Sequence, residues 1–408
     1  MRSDVSRRSM LGGGVALTAA ATVPATAAAD LPPFQTAVDA AVGAALTAGA
    51  CPGVCVAISR DGAPPMVKVY GRANLELNAV MTPGSVFRIG SLTKQFAAAC
   101  VVKLASEDRV GLDEPVSAYL PIFAAAPRFT LRELMNHTAG LSDDAQPVCA
   151  ADDAEPRSQI ALAENIVRQN RLFDFDPGSA WLYSNANYIV LGAVIEQVVG
   201  APLAQAMRTL VLDSVSLTSA AVDADRDVVP GRVNGYTPGD TAGAFTNAAH
   251  IEISDTGAAG AMRATAPDLV RWHEALLSGR IFERRWVEEM LKPGRLRDGR
   301  LSGANRFSPA DASYGDVQYG LGLLLPTANA RGRSILHYGY VNGFSAFLET
   351  WIDRKVTVAV LCNGDVGPAL PCRSAPSAPP STPRWTDRRP FCARLPLPSR
   401  RTWIIRAA

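Results

Sequence analysis

The chain has 408 residues, of which 48% are hydrophobic and 19% are charged, and its formal net charge is +2. This composition is typical of a globular protein long enough for two packed regions, and it excludes a disordered chain and a membrane bundle. Because residues 1–29 and 364–408 are rich in arginine, the body between them is acidic overall, which argues against a nucleic-acid partner.

The first 29 residues have the pattern of a twin-arginine export signal. The pair Arg7-Arg8 precedes an apolar run from Gly12 to Val23 that is rich in glycine and alanine, and an Ala-x-Ala cleavage pattern follows. The apolar run is too short and too rich in glycine to span a membrane well. We expect cleavage after Ala27 or Ala29, no stable membrane insertion afterwards, and a periplasmic or secreted product.

The body is predicted to begin with a helix and a pair of strands. Residues Phe34 to Ala48 are alanine-rich and have apolar side chains at helical spacing. The stretches Gly53–Ile58 and Met66–Tyr70 flank a turn at Asp61-Gly62, and this pattern predicts two antiparallel strands.

Ser91 and Lys94 stand three residues apart at the start of a predicted helix that continues from Gln95 to Glu107. This spacing places both side chains on one face, about one helical turn apart. A neutral amine can take the serine proton during attack, so the pair is interpreted as nucleophile and base. This role requires the pKa of Lys94 to fall from about 10.4 towards 7. The alternative is an exposed helix start, with the serine as cap and the lysine solvated.

Residues 142–300 are predicted to be mainly helix and loop, and a short helix is predicted before them. Thr130 and Glu133 form a capping-box pattern for a short helix that ends at Met135. His137 follows that helix beside a glycine turn, and a structural role is favoured over that of a general base. The clearest other helices are Ile160–Gln169, Ala186–Val199 and Ala266–Leu277.

Tyr183 and Asn185 lie immediately before the helix from Ala186. The phenol of a tyrosine beside a cationic lysine can have a lowered pKa, relay the serine proton and return it to a leaving group. The amide of Asn185 can hold a substrate amide or the lysine. The pattern Tyr-x-Asn is weak by itself, and the alternative is a half-buried tyrosine whose hydroxyl is satisfied at a helix start.

The C-terminal part of the body has four predicted strands: Tyr319–Leu325, Ser334–His337, Ser345–Trp351 and Val356–Cys362. Strands at both ends of the body with helices between them predict an α/β fold. In this fold, one antiparallel sheet from the N- and C-terminal segments is flanked by helices, and a mostly helical region is inserted into it. A functional site is expected in the cleft between the two regions.

His337, Gly339 and Tyr340 lie where the second of these strands is predicted to end. A glycine at this position would let a substrate backbone lie close to the strand edge. The backbone N–H groups of Ser91 and Tyr340 are the candidates for an oxyanion hole. His337 is predicted to be a donor in the wall of the cleft, and a core histidine is the alternative.

Seven cysteines and four histidines show none of the spacings of a metal site, so neither a metal nor another cofactor is expected. The histidines stand far apart and form no His-Glu-x-x-His or His-x-His group. Cys51 and Cys55 flank a predicted strand start, where a disulfide is possible. Small buried hydrophobic side chains are the favoured interpretation of these two cysteines.

The motifs Ser91-x-x-Lys94, Tyr183-x-Asn185 and His337-x-Gly339, in this order, resemble those of the serine β-lactamase and penicillin-binding-protein superfamily. The chain is most similar to its class C-like branch, which includes esterases and D-amino-acid peptidases. The resemblance runs from about residue 52 to residue 363. It includes the stretches Leu112–Pro115, Leu134–Leu141, Pro177-Gly178, Gly260–Leu269 and Tyr319–Gly322.

The resemblance implies a β-lactamase-like serine hydrolase domain in residues 30–363. Ser91 would be acylated, Lys94 and Tyr183 would share the acid and base work, and water would release the acyl group. Asn185, His337, Gly339 and Tyr340 would bind a small-molecule ester, D-amino-acid peptide or β-lactam. The alternative is a non-catalytic protein that binds cell-wall peptides or penicillin in the same cleft. The oligomeric state stays open.

Two features depart from the family pattern. The class C β-lactamases that the chain resembles carry the motif Lys-Thr-Gly at the position where this chain has His337-Tyr338-Gly339. Histidine, with a pKa near 6.5, lacks the fixed charge that helps to hold a substrate carboxylate, which favours esters or short peptides over strong β-lactam hydrolysis.

The second departure is the tail. Residues 364–408 carry nine prolines and cannot sustain the long helix that usually closes the domain in the family that the chain resembles. This tail is predicted to be disordered or the product of a frameshift.

Overall fold

The computed structural model describes residues 34–143, 157–308, 317–326 and 332–365. The predicted export signal and nearly all of the proline-rich tail lie outside these residues. The helices are α1 (Phe34–Thr47), α2 (Thr93–Ser106), α3 (Leu131–Met135), α4 (Gln159–Val167), α5 (Asn185–Val199), α6 (Leu203–Met207), α7 (Gly257–Gly260), α8 (Ala266–Leu277) and α9 (Arg284–Met290).

The strands of the sheet come from both ends of the body, and short strands lie in the inserted region. They are β1 (Gly53–Arg60), β2 (Met66–Asn74), β3 (Ala79–Val80), β4 (Phe87–Arg88), β5 (Ala221–Val222), β6 (Tyr236–Pro238), β7 (Phe245–Asn247), β8 (Met262–Ala264), β9 (Val317–Tyr319), β10 (Leu324–Pro326), β11 (Ser334–Val341), β12 (Phe344–Trp351) and β13 (Val356–Cys362).

One antiparallel sheet of eight strands has the order β3-β2-β1-β13-β12-β11-β10-β9. The first and last strands of the body meet at its centre, where β1 pairs with β13 from Val54 opposite Cys362 to Arg60 opposite Val356. Strands β4, β8 and β5 form a small second sheet, and β6 pairs with β7. The predicted fold class, a sheet from both ends of the chain with an inserted helical region, is confirmed.

Helices pack on both faces of the large sheet at its central strands. In β1, Val54, Val56 and Ile58 join a cluster with α1, whereas Cys55 and Ala57 join the main core on the opposite face. This alternation follows from the two-residue period of a strand. Helix α8 packs against β1 and β13. Seven of the eight residues of β1 are therefore buried.

Helix α2 is enclosed by other helices and by the turn between β9 and β10. Twelve of its fourteen residues are buried, and it contacts α5, α6, α7 and α9. Its sequence is apolar on nearly every side, which is typical of a helix in the middle of a core. This enclosure fixes the position of whatever lies at its N-terminus.

Several predicted strand boundaries differ from the structure, and β1 and β2 continue to Arg60 and Asn74, beyond their predicted ends at Ile58 and Tyr70. The stretch Tyr319–Leu325 is a hairpin of β9 and β10 rather than one strand, because the chain turns at residues 320–323 and Gly322 takes a φ of +80°. A methyl group at Gly322 would lie 2.9 Å from the carbonyl oxygen of Lys94, so this turn packs directly on α2. The strand predicted to end at His337 continues to Val341.

The described cysteines are buried free thiols at positions 51, 55, 100 and 362. The interpretation of Cys51 and Cys55 as small buried hydrophobic side chains is confirmed.

Within the described residues, no single helix has the length and apolar composition of a membrane span. The pair Asn185–Val199 and Leu203–Val215, which is bent by 79°, meets both criteria only when taken together.

Candidate active site

Ser91 lies in a turn of 3₁₀ helix, Gly90–Leu92, that leads directly into α2. Gly90 has a φ of +51°, a left-handed conformation that glycine adopts without strain. The side chain of Ser91 is half-buried, whereas Lys94, one turn further on, has no exposed surface. The turn therefore presents the hydroxyl at the surface of the core and keeps the amine beneath it.

The amine of Lys94 contacts three oxygen atoms from three different segments. Its Nζ lies 3.0 Å from Oγ of Ser91, 2.7 Å from Oδ1 of Asn185 and 2.8 Å from the carbonyl oxygen of Ala259. It also lies 4.9 Å from the centre of the Tyr183 ring. The structure thus brings together all three predicted catalytic residues and Asn185.

Burial lowers the pKa of Lys94 to about 7, and the negative charge of Asp143 acts in the opposite direction. At neutral pH a substantial fraction of the amine is therefore unprotonated. An unprotonated amine at 3.0 Å from the serine oxygen is within reach to accept its proton. The geometry is that of a nucleophile with a general base.

Tyr183 and Asn185 are held by the N-terminus of α5. The backbone N–H of Asn185 donates to Oδ1 of Asp143 at 2.6 Å. The ring of Tyr183 is half-buried and lies 4.4 Å, centre to centre, from the ring of His137. The start of α5 therefore directs the side chain of Asn185 to Lys94 as an acceptor, and the residues just before the helix place the ring of Tyr183 beside the amine.

His137 supports this segment from beneath. Its Nδ1 accepts a hydrogen bond from the backbone N–H of Ser184 at 3.2 Å and lies 3.1 Å from Nδ2 of Asn187. Burial first, and then the charge of Lys94, lower the pKa of His137 well below its usual value. A neutral, buried ring that accepts a backbone hydrogen bond agrees with the favoured structural role.

His337 is buried, and both of its ring nitrogens have protein partners. Nδ1 lies 2.6 Å from the carbonyl oxygen of Tyr338, which can only accept, so Nδ1 carries the proton. Nε2 then accepts from the hydroxyl of Tyr319 at 2.9 Å. Burial and the charge of Lys94 lower the pKa of His337 to about 3. The ring is therefore neutral, and a substrate contact would require one of these hydrogen bonds to break.

Gly339 permits close contact between β11 and the turn that carries Ser91. A methyl group at Gly339 would lie 1.9 Å from the carbonyl oxygen of Ile89, and one at Gly90 would lie 2.6 Å from the backbone nitrogen of Tyr340. The close approach at Gly339 is thus to Ile89, rather than to a substrate as the sequence suggested. It brings the backbone of Tyr340 beside the residue that precedes Ser91, where an oxyanion hole would require it.

The substitution Gly339→Ala is expected to destabilise the protein by about 3 kcal/mol or more, because the new methyl group overlaps a backbone atom that cannot rotate away. Urea unfolding followed by circular dichroism measures this loss. Gly43→Ala in α1 is the matched control, because a methyl group there meets no atom within 4 Å. Equal stability of the two variants would contradict the contact with Ile89.

Three contributors to the site are absent from the sequence prediction. The carbonyl of Ala259 is a backbone group without a side-chain pattern, although it directly precedes the stretch Gly260–Leu269 that resembles the family. Asp143 lies two residues after Leu134–Leu141, another stretch that resembles the family. This proximity was the one sequence feature that could have indicated a place for Asp143 in the site. Tyr319 begins a family-like stretch, but its bond to His337 depends on the pairing of β9 with β10 and of β10 with β11.

Across the described ranges, no group of three or more histidine, cysteine, aspartate or glutamate side chains is placed to hold a metal ion. The side chains that meet around Nζ of Lys94 are a hydroxyl, an amide and a phenol ring. A family model described as "Beta-lactamase" matches residues 38–377.

The chain belongs to the β-lactamase family. Among the curated relatives of this β-lactamase-family protein, D-aminopeptidase of Brucella anthropi is 29% identical over 78% of the chain. Esterase EstB of Burkholderia gladioli is 30% identical over 52% of the chain. The chain spans 57% and 59% of the length of these two relatives.

A solved structure of a D-stereospecific amidohydrolase from a Streptomyces species shares the fold, with a TM-score of 0.65. It is 26% identical, and the match covers 81% of this chain and 94% of that chain. The family and the fold predicted from the three motifs are thus confirmed. The roles of the individual site residues in this β-lactamase-family protein stay predictions.

Proposed function

We propose that this protein is an exported serine hydrolase that forms an acyl-enzyme on Ser91 and cleaves ester or amide bonds of small molecules. One observation carries the proposal: the serine oxygen lies 3.0 Å from a fully buried lysine amine whose pKa is about 7. Burial of a lysine costs free energy, and such a cost is typical of a functional site. Export is supported by the twin-arginine pattern of residues 1–29 alone.

The reaction begins when neutral Lys94 takes the proton of Ser91 as the serine oxygen attacks a carbonyl carbon. The developing oxyanion is stabilised by the backbone N–H groups of Ser91 and Tyr340. The proton then passes to the leaving group, directly from Lys94 or by way of the phenol of Tyr183. Attack by water on the acyl-enzyme, with the same groups as base and acid, releases the acid and restores the serine.

The expected substrates are esters and amides of D-amino acids, rather than compounds that depend on a bound carboxylate. His337 stands where class C β-lactamases carry the lysine of a Lys-Thr-Gly motif. It is neutral and accepts a hydrogen bond from Tyr319, so it supplies no positive charge to a substrate carboxylate. The names of the relatives, D-aminopeptidase and esterase, support this choice of substrate class. β-Lactams are the weaker candidates.

A fluorophosphonate probe on the full chain tests the proposal, followed by p-nitrophenyl esters, D-alanyl amides and peptides, and nitrocefin. Stoichiometric labelling of Ser91 and turnover of an ester or a D-alanyl amide would support it. Nitrocefin turnover faster than that of every ester and amide would overturn the substrate class. Saturable binding of a labelled penicillin without covalent labelling would instead identify a non-catalytic binding protein.

The rate of labelling is expected to rise with pH around pH 7. Only the neutral form of Lys94 can accept the serine proton, and the pKa of this lysine is about 7. The rate should therefore be low at pH 5.5, reach half of its maximum near pH 7, and level off by about pH 8.5. A rate that does not change between pH 6 and pH 8 would contradict the role of Lys94 as base.

A further inference from the structure

The geometry points to Asp143 as a positioning residue for the Ser91–Lys94 pair: it orients Asn185 and adds one negative charge beside the lysine. This inference deepens the proposed function and rests on it. Asp143 lies between α3 and α4, outside each of the motifs by which the site was predicted, and its side chain is half-buried.

The first part of the argument is a chain of two short hydrogen bonds. Oδ1 of Asp143 accepts from the backbone N–H of Asn185 at 2.6 Å. Oδ1 of Asn185 accepts from Nζ of Lys94 at 2.7 Å. The carboxylate is thus two hydrogen bonds from the amine that contacts Ser91.

The second part is the N-terminus of α5. Its N-cap residue, Ser184, makes no side-chain capping bond. Asp143, from a distant part of the chain, takes this role for the first residue of the helix. A carboxylate is well suited to this place, because free backbone N–H groups and the helix dipole favour negative charge there. Since Asn185 begins the helix, its side chain is held where it can accept from Lys94.

The third part is the charge around the amine. The rings of Tyr183 and Tyr188 face Nζ at 4.9 Å and 5.6 Å. The rings of His137 and His337 are neutral because burial and Lys94 lower the pKa of each. Asp143 contributes negative charge, which favours the protonated amine and opposes the effect of burial.

The consequence is a base of suitable strength. Burial without a nearby carboxylate would take the pKa of Lys94 further down, and a lysine with a lower pKa is a weaker proton acceptor. Asp143 keeps the pKa near the working pH while its hydrogen bond fixes the asparagine that holds the amine. It therefore acts through Asn185 and Lys94 without contact with the reacting atoms.

The substitution Asp143→Asn separates charge from geometry, because the amide oxygen can still accept from the N–H of Asn185. We expect the acid limb of the pH–rate profile, where the labelling rate rises with pH, to move to lower pH by about half a unit or more. The rate on the plateau at higher pH should also be lower. Asp143→Ala removes the acceptor as well and should reduce the plateau about ten-fold further. Asp113→Asn, an exposed carboxylate paired with Arg132, is the matched control and should leave the limb unchanged.

Titration of Lys94 by NMR, with ¹³C-labelled lysine and Lys94→Arg for assignment, gives a second measurement that needs no catalysis. The titration midpoint should fall in Asp143→Asn and stay unchanged in Asp113→Asn. An unchanged midpoint and an unchanged limb in a folded Asp143→Asn protein that labels normally would overturn the inference and leave the proposed function standing. Absence of labelling in the unaltered protein at every pH would overturn the proposed function, and the role of Asp143 in it.

Discussion

Ser91→Ala is expected to abolish covalent labelling and to reduce turnover of any substrate by on the order of 10⁴- to 10⁶-fold. The reaction as proposed requires a bond between the serine oxygen and the substrate carbonyl, and alanine has no atom that can form it. Mass spectrometry of the probe-treated protein and ester hydrolysis measure the two effects. The fold should be retained, because Ser91 is only half-buried and Lys94 keeps its contacts with Asn185 and Ala259.

Ser106→Ala is the matched control for this variant, since Ser106 lies at the far end of the same helix and its hydroxyl donates to the carbonyl of Lys103. It should label and turn over substrate like the unaltered protein. Labelling that persists in Ser91→Ala on another serine would show that the nucleophile has been assigned to the wrong residue.

Lys94→Met is expected to slow acylation by about 10²- to 10⁴-fold, which is the usual contribution of a general base. Methionine is unbranched, flexible and apolar, so it can occupy the buried site without offering a proton acceptor. The rate constant for labelling measures the loss. The residual rate should no longer rise around pH 7, because the group that titrates there has been removed.

The same variant should show a change in the pH dependence of stability. The pKa of Lys94 is about 7 in the folded protein and near 10.5 in an unfolded chain, so between these values the unfolded state binds more protons. The stability of the unaltered protein therefore gains about 1.4 kcal/mol for each pH unit in this window, relative to Lys94→Met. Urea unfolding of both proteins at pH 7 and pH 9 measures the difference.

Lys103→Met provides the control for both measurements, because Lys103 lies on the same helix but is partly exposed and paired with Glu107. Its labelling rate and the pH dependence of its stability should match those of the unaltered protein. Full acylation activity in Lys94→Met would exclude the lysine as base and would leave the phenol of Tyr183 as the remaining candidate.

The parts of the site that were predictable from the sequence depend on local spacing. Ser91 and Lys94 share one helical turn, so a separation of three residues was enough to place one amine beside one hydroxyl. The position of Asn185 at a helix start could likewise be read locally. The strands at both ends of the body predicted the sheet, because their alternating or continuous apolar patterns do not depend on their partners.

The rest depends on contacts between segments far apart in the chain. The partner of Nε2 in His337 is Tyr319, and this bond exists only because a hairpin places β9 and β10 beside β11. The role of Gly339 could not be predicted, because what lies against a glycine is set by the packing of another segment, here Ile89. Asp143 caps a helix that begins 42 residues later in the chain.

The enclosure of α2 has a consequence for how the protein unfolds. Only Lys103 and Ser106 on this helix are not fully buried, so solvent can reach its amide protons only when the surrounding layers separate. Hydrogen–deuterium exchange along α2 should then be as slow as global unfolding, and slower than exchange in the small sheets of the inserted region. On heating, we expect the amine of Lys94 to stay shielded until the whole domain unfolds cooperatively, with no earlier state in which it alone is exposed.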